Sequence, residues 1–109
     1  MKSKTHWLFI CSRNQWRSPT AEAIFRDRPG LEVRSAGTSP KARRRVSEQD
    51  LLWADTVYVM EKRHKQQLRE RFGSLLDELS IVNLDIPDDY QFMDAELVEI
   101  LKQSVDNDH

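Results

Sequence analysis

A cysteine and an arginine six residues apart, Cys11 and Arg17, have the types and spacing to do chemistry together. A loop of this length can wrap around a tetrahedral anion with its backbone N–H groups pointing inward, and a helix that begins behind the loop adds positive potential. The planar guanidinium group can hold two oxygens of the anion at once. The same surroundings favour the thiolate form of a cysteine, which is its nucleophilic form. The pair therefore predicts a nucleophile at the centre of a site for a phosphate-like anion.

Two residues between and beside this pair fit the same interpretation. Asn14 suits a left-handed backbone position in a tight loop, and the hydroxyl of Ser18 could donate a hydrogen bond to the thiolate. The alternative is a buried structural cysteine at a strand end, followed by a solvated arginine. Cys11 is the single cysteine of the sequence, which excludes an internal disulfide framework and a zinc site built from several cysteines.

The hydrophobic pattern predicts strands that alternate with helices. Strands are expected at about residues 6–10, 31–34, 56–60 and 79–84, where apolar, aromatic and β-branched residues cluster. Four helices are expected. The first begins after Ser18 as N-cap, with Pro19 at its first position, and the second begins at the capping-box pair Ser47 and Asp50. The third contains His64, and the fourth begins after Asp94 as N-cap. Between residues 38 and 46 there is room for a loop but not for a helix.

This alternation predicts an α/β fold with a parallel sheet covered on both faces and right-handed crossovers. Ligands of such sheets bind beyond the carboxyl ends of the strands. Cys11 lies just past the end of the first strand, and the Asp88 region lies just past the fourth. We therefore expect both residues at the same edge of the sheet.

Composition narrows the class of protein. The chain has 109 residues, of which 39% are hydrophobic and 32% charged, and a net charge of −1. This length predicts a single domain over residues 1–109. Without a global positive charge, we expect no nucleic-acid partner. No apolar run is long enough for a signal peptide or a bilayer span, so we expect a cytoplasmic protein without a membrane partner. The basic run Arg43–Arg45 is interpreted as a solvated loop, or else as a rim that attracts an anionic substrate.

Several motifs resemble those of the low-molecular-weight protein tyrosine phosphatases. The run from Phe9 to Glu22, FICSRNQWRSPTAE, resembles the phosphate loop of that family. Residues 35–38 (SAGT) resemble its second motif, and residues 54–55 with 59–61 resemble its third-strand region. Residues 86–90 (IPDDY) are similar to its general-acid loop. The motifs occur in order over roughly residues 7 to 101.

The resemblance implies a three-layer, flavodoxin-like fold whose four parallel strands have the order 2-1-3-4. It implies a cysteine-dependent phosphatase acting on phosphotyrosine or another aryl phosphate, with Cys11 as nucleophile, Arg17 as phosphoryl ligand and Asp88 as general acid. It places Asp89 and Tyr90 in the substrate pocket, and it implies no cofactor and no metal. The phosphate-binding residues would be the loop positions Ser12, Arg13, Asn14, Gln15, Trp16, Arg17 and Ser18. The expected partner is a phosphorylated protein or a small phosphoester, and the expected assembly is a monomer or weak dimer.

The chain also departs from the family pattern. It is short, Trp16 stands where the family often has a second cysteine, and Asp89 stands where a proline commonly follows the acid, so Asp89 competes with Asp88 for the acid role. The loop is also similar to that of phosphatases acting on phosphoserine in the RNA polymerase II tail, which keeps phosphoserine or a small molecule open as substrate. Two further alternatives are arsenate reduction with an external thiol and a non-catalytic phosphate-binding module.

Overall fold

The sheet contains four parallel strands in the order β2-β1-β3-β4. The computed structural model describes residues 4–108, and its strands are β1 (Thr5–Cys11), β2 (Leu31–Gly37), β3 (Thr56–Val59) and β4 (Ile81–Asn83). β1 lies between β2 and β3 and pairs with both in parallel register. The predicted α/β fold and strand order are confirmed.

Four α-helices connect and cover the strands: α1 (Arg17–Phe25), α2 (Glu48–Trp53), α3 (Lys62–Phe72) and α4 (Ala95–Asp108), with a 3₁₀ helix at Gly73–Glu78. The predicted capping box of α2 is present, since the Ser47 hydroxyl accepts from the Asp50 amide and the Asp50 carboxylate accepts from the Ser47 amide. The expected start of α1 is wrong, because the helix begins one residue before Ser18. The Ser18 side chain faces Cys11 instead of capping the helix. No helix among residues 4–108 is long and apolar enough to cross a membrane.

The core consists of two apolar layers, one on each face of the sheet. Alternate residues of β1 serve the two layers, as period-two geometry requires. Trp7, Phe9 and Cys11 pack with residues of α1 and α4, whereas Leu8 and Ile10 pack with residues of α2 and α3. Phe9 stacks on Tyr58 of β3 and on Phe25 of α1 at ring-centroid distances of 5.1 and 5.6 Å. This packing fixes the carboxyl end of β1, where Cys11 lies.

Residues 38–46 form a loop without a helix, as the chain length in this region predicts. The loop runs back alongside the segment that follows β1. At its start, Gly37 is packed so closely that an added Cβ would lie 2.5 Å from the carbonyl oxygen of Ser12 and 2.6 Å from the Cβ of Ala42. Only glycine allows this approach, so Gly37 joins the two loops that form the site.

Candidate active site

Residues 12–16 form the loop between β1 and α1, which we call the phosphate loop. The carbonyl oxygens of its first part accept hydrogen bonds from the 38–46 loop: Cys11 from the Thr38 amide at 3.0 Å, Ser12 from the Ser39 amide at 2.9 Å, and Arg13 from the Arg43 amide at 3.1 Å. In a trans peptide the C=O and the following N–H point in opposite directions, so the next amides face away from the 38–46 loop. Within residues 4–108 the structure gives the amides of residues 12–16 no protein acceptor. These N–H groups are therefore available to an anion.

Asn14 holds the phosphate loop in shape. Its backbone is left-handed, with φ of 55°, as the sequence predicts. Its side-chain amide donates to the hydroxyl oxygens of Ser18 and Ser35, both at 3.0 Å. Ser35 in turn donates to the carboxylate of Glu22 at 2.5 Å. Asn14 is thus buried behind the loop, and its side chain supports the anion site instead of lining it.

This network leaves the proton of Ser18 free for Cys11. Because Asn14 donates to the Ser18 oxygen, the hydroxyl proton of Ser18 must point elsewhere, and its acceptors are the Cys11 sulfur at 3.0 Å and the Ala36 carbonyl at 3.3 Å. A thiolate is the stronger acceptor of the two because it is charged. Ser18 is fully buried and Cys11 is only 3% exposed, so water competes little for this bond.

Arg17 is buried and held on three sides. Its Nη1 donates to the Glu61 carboxylate at 2.5 Å and to the Ile86 carbonyl at 2.7 Å, and its Nε lies 3.6 Å from the Asp88 carboxylate. Burial acts to raise the pKa of Glu61, but hydrogen bonds and charge from Arg17 and Arg63 outweigh it, so the pKa is lowered and Glu61 stays anionic. Within the described residues Nη2 has no protein partner. Arg17 therefore presents a fixed donor group to a ligand.

His64, in the first turn of α3 three residues after Glu61, contacts the phosphate loop at Ser12. The Glu61 amide donates to its Nδ1 at 3.0 Å, so the ring proton is on Nε2, which lies 2.9 Å from the Ser12 hydroxyl and donates to it. The sequence analysis missed Glu61 and His64 as site residues. The one signal of these residues in the sequence is that Glu61 and His64 lie three positions apart shortly after β3, which is the spacing of a capping box at a helix N-terminus.

The neutral state of His64 predicts a pH dependence of stability. Burial, with smaller effects of Arg17 and Arg63 opposed by Glu61, lowers its pKa from 6.5 to about 4. The unfolded chain therefore binds this proton at higher pH than the folded chain, and the stabilisation is complete above about pH 6.5 and is lost as pH falls toward 4. In urea titrations, wild type should lose more unfolding free energy between pH 7 and pH 5 than His64→Gln. An equal loss would contradict a neutral, buried His64.

A cavity of about 220 Å³ opens above Cys11. It is lined by Cys11, Ser12, Arg13, Gln15, Trp16, Arg17 and Asp88. The structure thus brings together most of the site residues expected from the sequence, and it places the Asp88 carboxylate beside Arg17. Neither Asp89 nor Tyr90 lines this cavity.

Tyr90, expected in the substrate pocket, does not line this cavity and has other contacts. Its ring packs against the core layer that contains Trp7 and Phe9, and its hydroxyl lies 3.4 Å from the Glu96 carboxylate. Asp89 is exposed, outside the residues that line the cavity. Tyr90 is half-buried, and its expected role in the substrate pocket stays a prediction. Trp16, which is 40% exposed, supplies the aromatic ring among the residues that line the cavity.

The part of the chain that forms the phosphate loop is similar in sequence to a known protein family. The family model for low molecular weight phosphotyrosine protein phosphatase matches residues 6–49, which include the phosphate loop and residues 38–46. No curated protein sequence matches the chain.

Solved structures match nearly the whole chain. A YwlE mutant from Bacillus subtilis is 25% identical, with a TM-score of 0.71 over 97% of this chain and 100% of that one. The tyrosine phosphatase Wzb from Escherichia coli K30, in complex with phosphate, is 20% identical, with a TM-score of 0.75 over 95% of each chain. The YwlE arginine phosphatase from Geobacillus stearothermophilus is 24% identical, with a TM-score of 0.67 over 94% of this chain and 84% of that one.

The family match covers the loop that carries Cys11 and Arg17, and the structural matches extend the likeness over the rest of the fold. The chain is therefore similar to the low molecular weight phosphotyrosine protein phosphatases in sequence over residues 6–49 and in fold over nearly its whole length.

Proposed function

We propose that this protein is a cysteine-dependent phosphatase that hydrolyses aryl phosphates, phosphotyrosine above all, through a phosphocysteine intermediate. The observation that carries the proposal is that Cys11, Arg17 and Asp88 line one small cavity. Four of the loop residues whose amides have no acceptor among residues 4–108 also line this cavity: Ser12, Arg13, Gln15 and Trp16. These groups supply a nucleophile, charge stabilisation and an acid within one pocket.

In the first step the thiolate of Cys11 attacks phosphorus. The S–P bond forms and the P–O bond to the leaving group breaks, while Asp88 gives its proton to the leaving oxygen. Arg17 and the loop amides balance the charge on the three remaining phosphoryl oxygens. Glu61 and the Ile86 carbonyl hold the guanidinium in place for this task.

In the second step water hydrolyses the phosphocysteine. Asp88, now a carboxylate, takes a proton from the attacking water, the S–P bond breaks, and inorganic phosphate leaves. The sulfur departs as a thiolate, and the hydroxyl of Ser18 at 3.0 Å stabilises that charge. The enzyme returns to its starting state with Asp88 protonated.

Trp16 favours an aromatic leaving group. The other two tryptophans are engaged: Trp7 is 6% exposed in the core, and Trp53 stacks on His6 with ring centroids 4.3 Å apart. Trp16 is 40% exposed and lines the cavity, and its carbonyl is fixed by the amide of Thr20 at 3.0 Å. An indole that lines the cavity can stack on an aryl group, which contributes about 0.5–1.5 kcal/mol beyond the area it buries.

We therefore expect Trp16→Ala to lower kcat/KM for a phosphotyrosine peptide by roughly three- to tenfold, which corresponds to that stacking energy. Trp16→Phe should retain most of the activity, and hydrolysis of an alkyl phosphate should change little in either variant. Steady-state kinetics on matched phosphotyrosine, phosphoserine and phosphoarginine peptides test the substrate class. Higher kcat/KM for phosphoserine or phosphoarginine, or an equal loss on alkyl phosphate in Trp16→Ala, would contradict the assignment.

A further inference from the structure

A second and larger cavity lies behind the phosphate loop. Its volume is about 600 Å³, and its lining includes Arg34, Arg43 and Arg44, together with Asp50 and the loop-supporting residues Asn14 and Ser35. The volume is large enough for one or two amino-acid side chains. The mechanism proposed for Cys11 does not use this cavity.

The charges of this cavity do not balance locally. The Asp50 carboxylate, whose residue is 2% exposed, forms ion pairs with both Arg34, at 3.4 Å, and Arg44. One carboxylate cannot neutralise two guanidinium groups. Arg43 adds a third cation, and the described part of the chain gives its side chain no carboxylate partner. The Glu22 carboxylate also lines the cavity and accepts a hydrogen bond from the neutral Ser35 hydroxyl, so the lining holds three guanidinium groups against two carboxylates. The cavity is therefore positive although the whole chain has a net charge of −1.

This cavity and the catalytic one each have a lining residue in the contact between the 38–46 loop and the phosphate loop. The Arg43 amide donates to the Arg13 carbonyl at 3.1 Å, and Arg13 lines the catalytic cavity while Arg43 lines the second one. An extended peptide advances about 3.3–3.6 Å per residue. Because Arg13 and Arg43 are in direct backbone contact, we expect a spacing of roughly two or three residues to bridge the two cavities.

We propose that the second cavity binds an acidic side chain of the substrate, so that the preferred substrate is a phosphopeptide with Asp or Glu two or three residues from the phosphorylated residue. This rests on the proposed phosphatase function. Arg43 is the specificity-determining residue because, among residues 4–108, its guanidinium has no carboxylate to release before it binds the substrate. Arg34 and Arg44 supply the remaining positive potential but stay paired with Asp50.

The test compares phosphotyrosine peptides that carry Glu or Gln at these positions, placed on either the amino or the carboxyl side. Wild type should prefer the Glu peptide of one side by roughly fivefold in kcat/KM at low salt, and the preference should shrink as salt rises. Arg43→Gln should lose most of this preference. Arg45→Gln is the matched control, since Arg45 belongs to the same basic run and its replacement removes the same charge, but it does not line the cavity. All three proteins should hydrolyse nitrophenyl phosphate equally.

Equal losses in Arg43→Gln and Arg45→Gln would overturn the proposal, because they would reflect general charge attraction. The absence of any Glu preference in wild type would also overturn it. The Kd values of the Glu and Gln peptides for Cys11→Ser, and for Cys11→Ser combined with Arg43→Gln, test the same preference without turnover. Failure of wild type to hydrolyse nitrophenyl phosphate would contradict the phosphatase function, whereas the binding measurement would still decide whether the cavity selects acidic peptides.

Discussion

Replacing Cys11 with serine should reduce turnover of nitrophenyl phosphate on the order of a thousandfold or more, because a serine hydroxyl in this position is a far weaker nucleophile than a thiolate. Binding of phosphate or vanadate should remain, since the loop amides and the Arg17 guanidinium that hold the anion are unchanged. Steady-state kinetics and anion titration by calorimetry measure the two quantities separately. The expected signature is the loss of kcat with a retained Kd for the anion.

A matched control is Ser18→Ala. This change removes the hydroxyl that contacts the sulfur at 3.0 Å but keeps the nucleophile, so activity should fall by a smaller factor than in Cys11→Ser. If Cys11→Ser kept even a tenth of wild-type turnover, Cys11 could not be the nucleophile. A loss of anion binding together with turnover would instead indicate that the loop had collapsed.

Replacing Asp88 with asparagine should lower kcat by about 10²–10⁴-fold on phosphotyrosine, which is the usual contribution of a general acid. The loss should be smaller on nitrophenyl phosphate, because nitrophenolate is a good leaving group that needs little protonation. The position of Asp88 supports this role, since its carboxylate lies 3.6 Å from the Arg17 Nε and lines the catalytic cavity. Measurement of kcat for both substrates gives the two factors.

Asp89→Asn serves as the control for Asp88→Asn. Asp89 is exposed and does not line the cavity, so its replacement should change kcat by less than about threefold, as expected for a residue outside the acid–base machinery. A larger loss at Asp89 than at Asp88 would reverse the assignment and leave the role of Cys11 untouched. Equal losses on phosphotyrosine and nitrophenyl phosphate for Asp88→Asn would argue against protonation of the leaving group.

Much of the fold could be predicted because the strands are short apolar runs between polar segments. β1 is the clearest case, since residues 7–11 are all buried and its alternation serves both layers of the core. The ends of elements were harder to predict. Ser18 followed by Pro19 has the pattern of a helix start, yet Ser18 lies inside α1, because its hydroxyl is taken up by contacts with Cys11 and Asn14 that the local sequence cannot show.

The candidate site was predictable where neighbouring residues carry the chemistry. Cys11, Asn14 and Arg17 lie at the end of β1, in the phosphate loop and at the start of α1, within seven consecutive residues, so their proximity could be predicted from local spacing. Glu61 and His64 were missed because they reach this loop only through the parallel pairing of β1 with β3, which brings two strand ends together.

Tyr90 shows how far a motif alone can lead. Its position in the motif predicts a pocket wall, which stays a prediction, and the structure shows its ring packed against the core, outside the residues that line the cavity. A motif places a residue in the chain, but packing decides which way its side chain faces.

If a phosphoryl group passes through the sulfur of Cys11, as proposed, chemical trapping should capture the phosphocysteine intermediate directly. Wild-type protein is mixed with nitrophenyl phosphate, quenched in acid within milliseconds, digested and mapped by mass spectrometry. We expect one phosphoryl group on the peptide that contains Cys11, and none on the same peptide after the reaction has run to completion. A phosphoryl group on any other residue, or turnover without labelling of Cys11 at any quench time, would contradict the account.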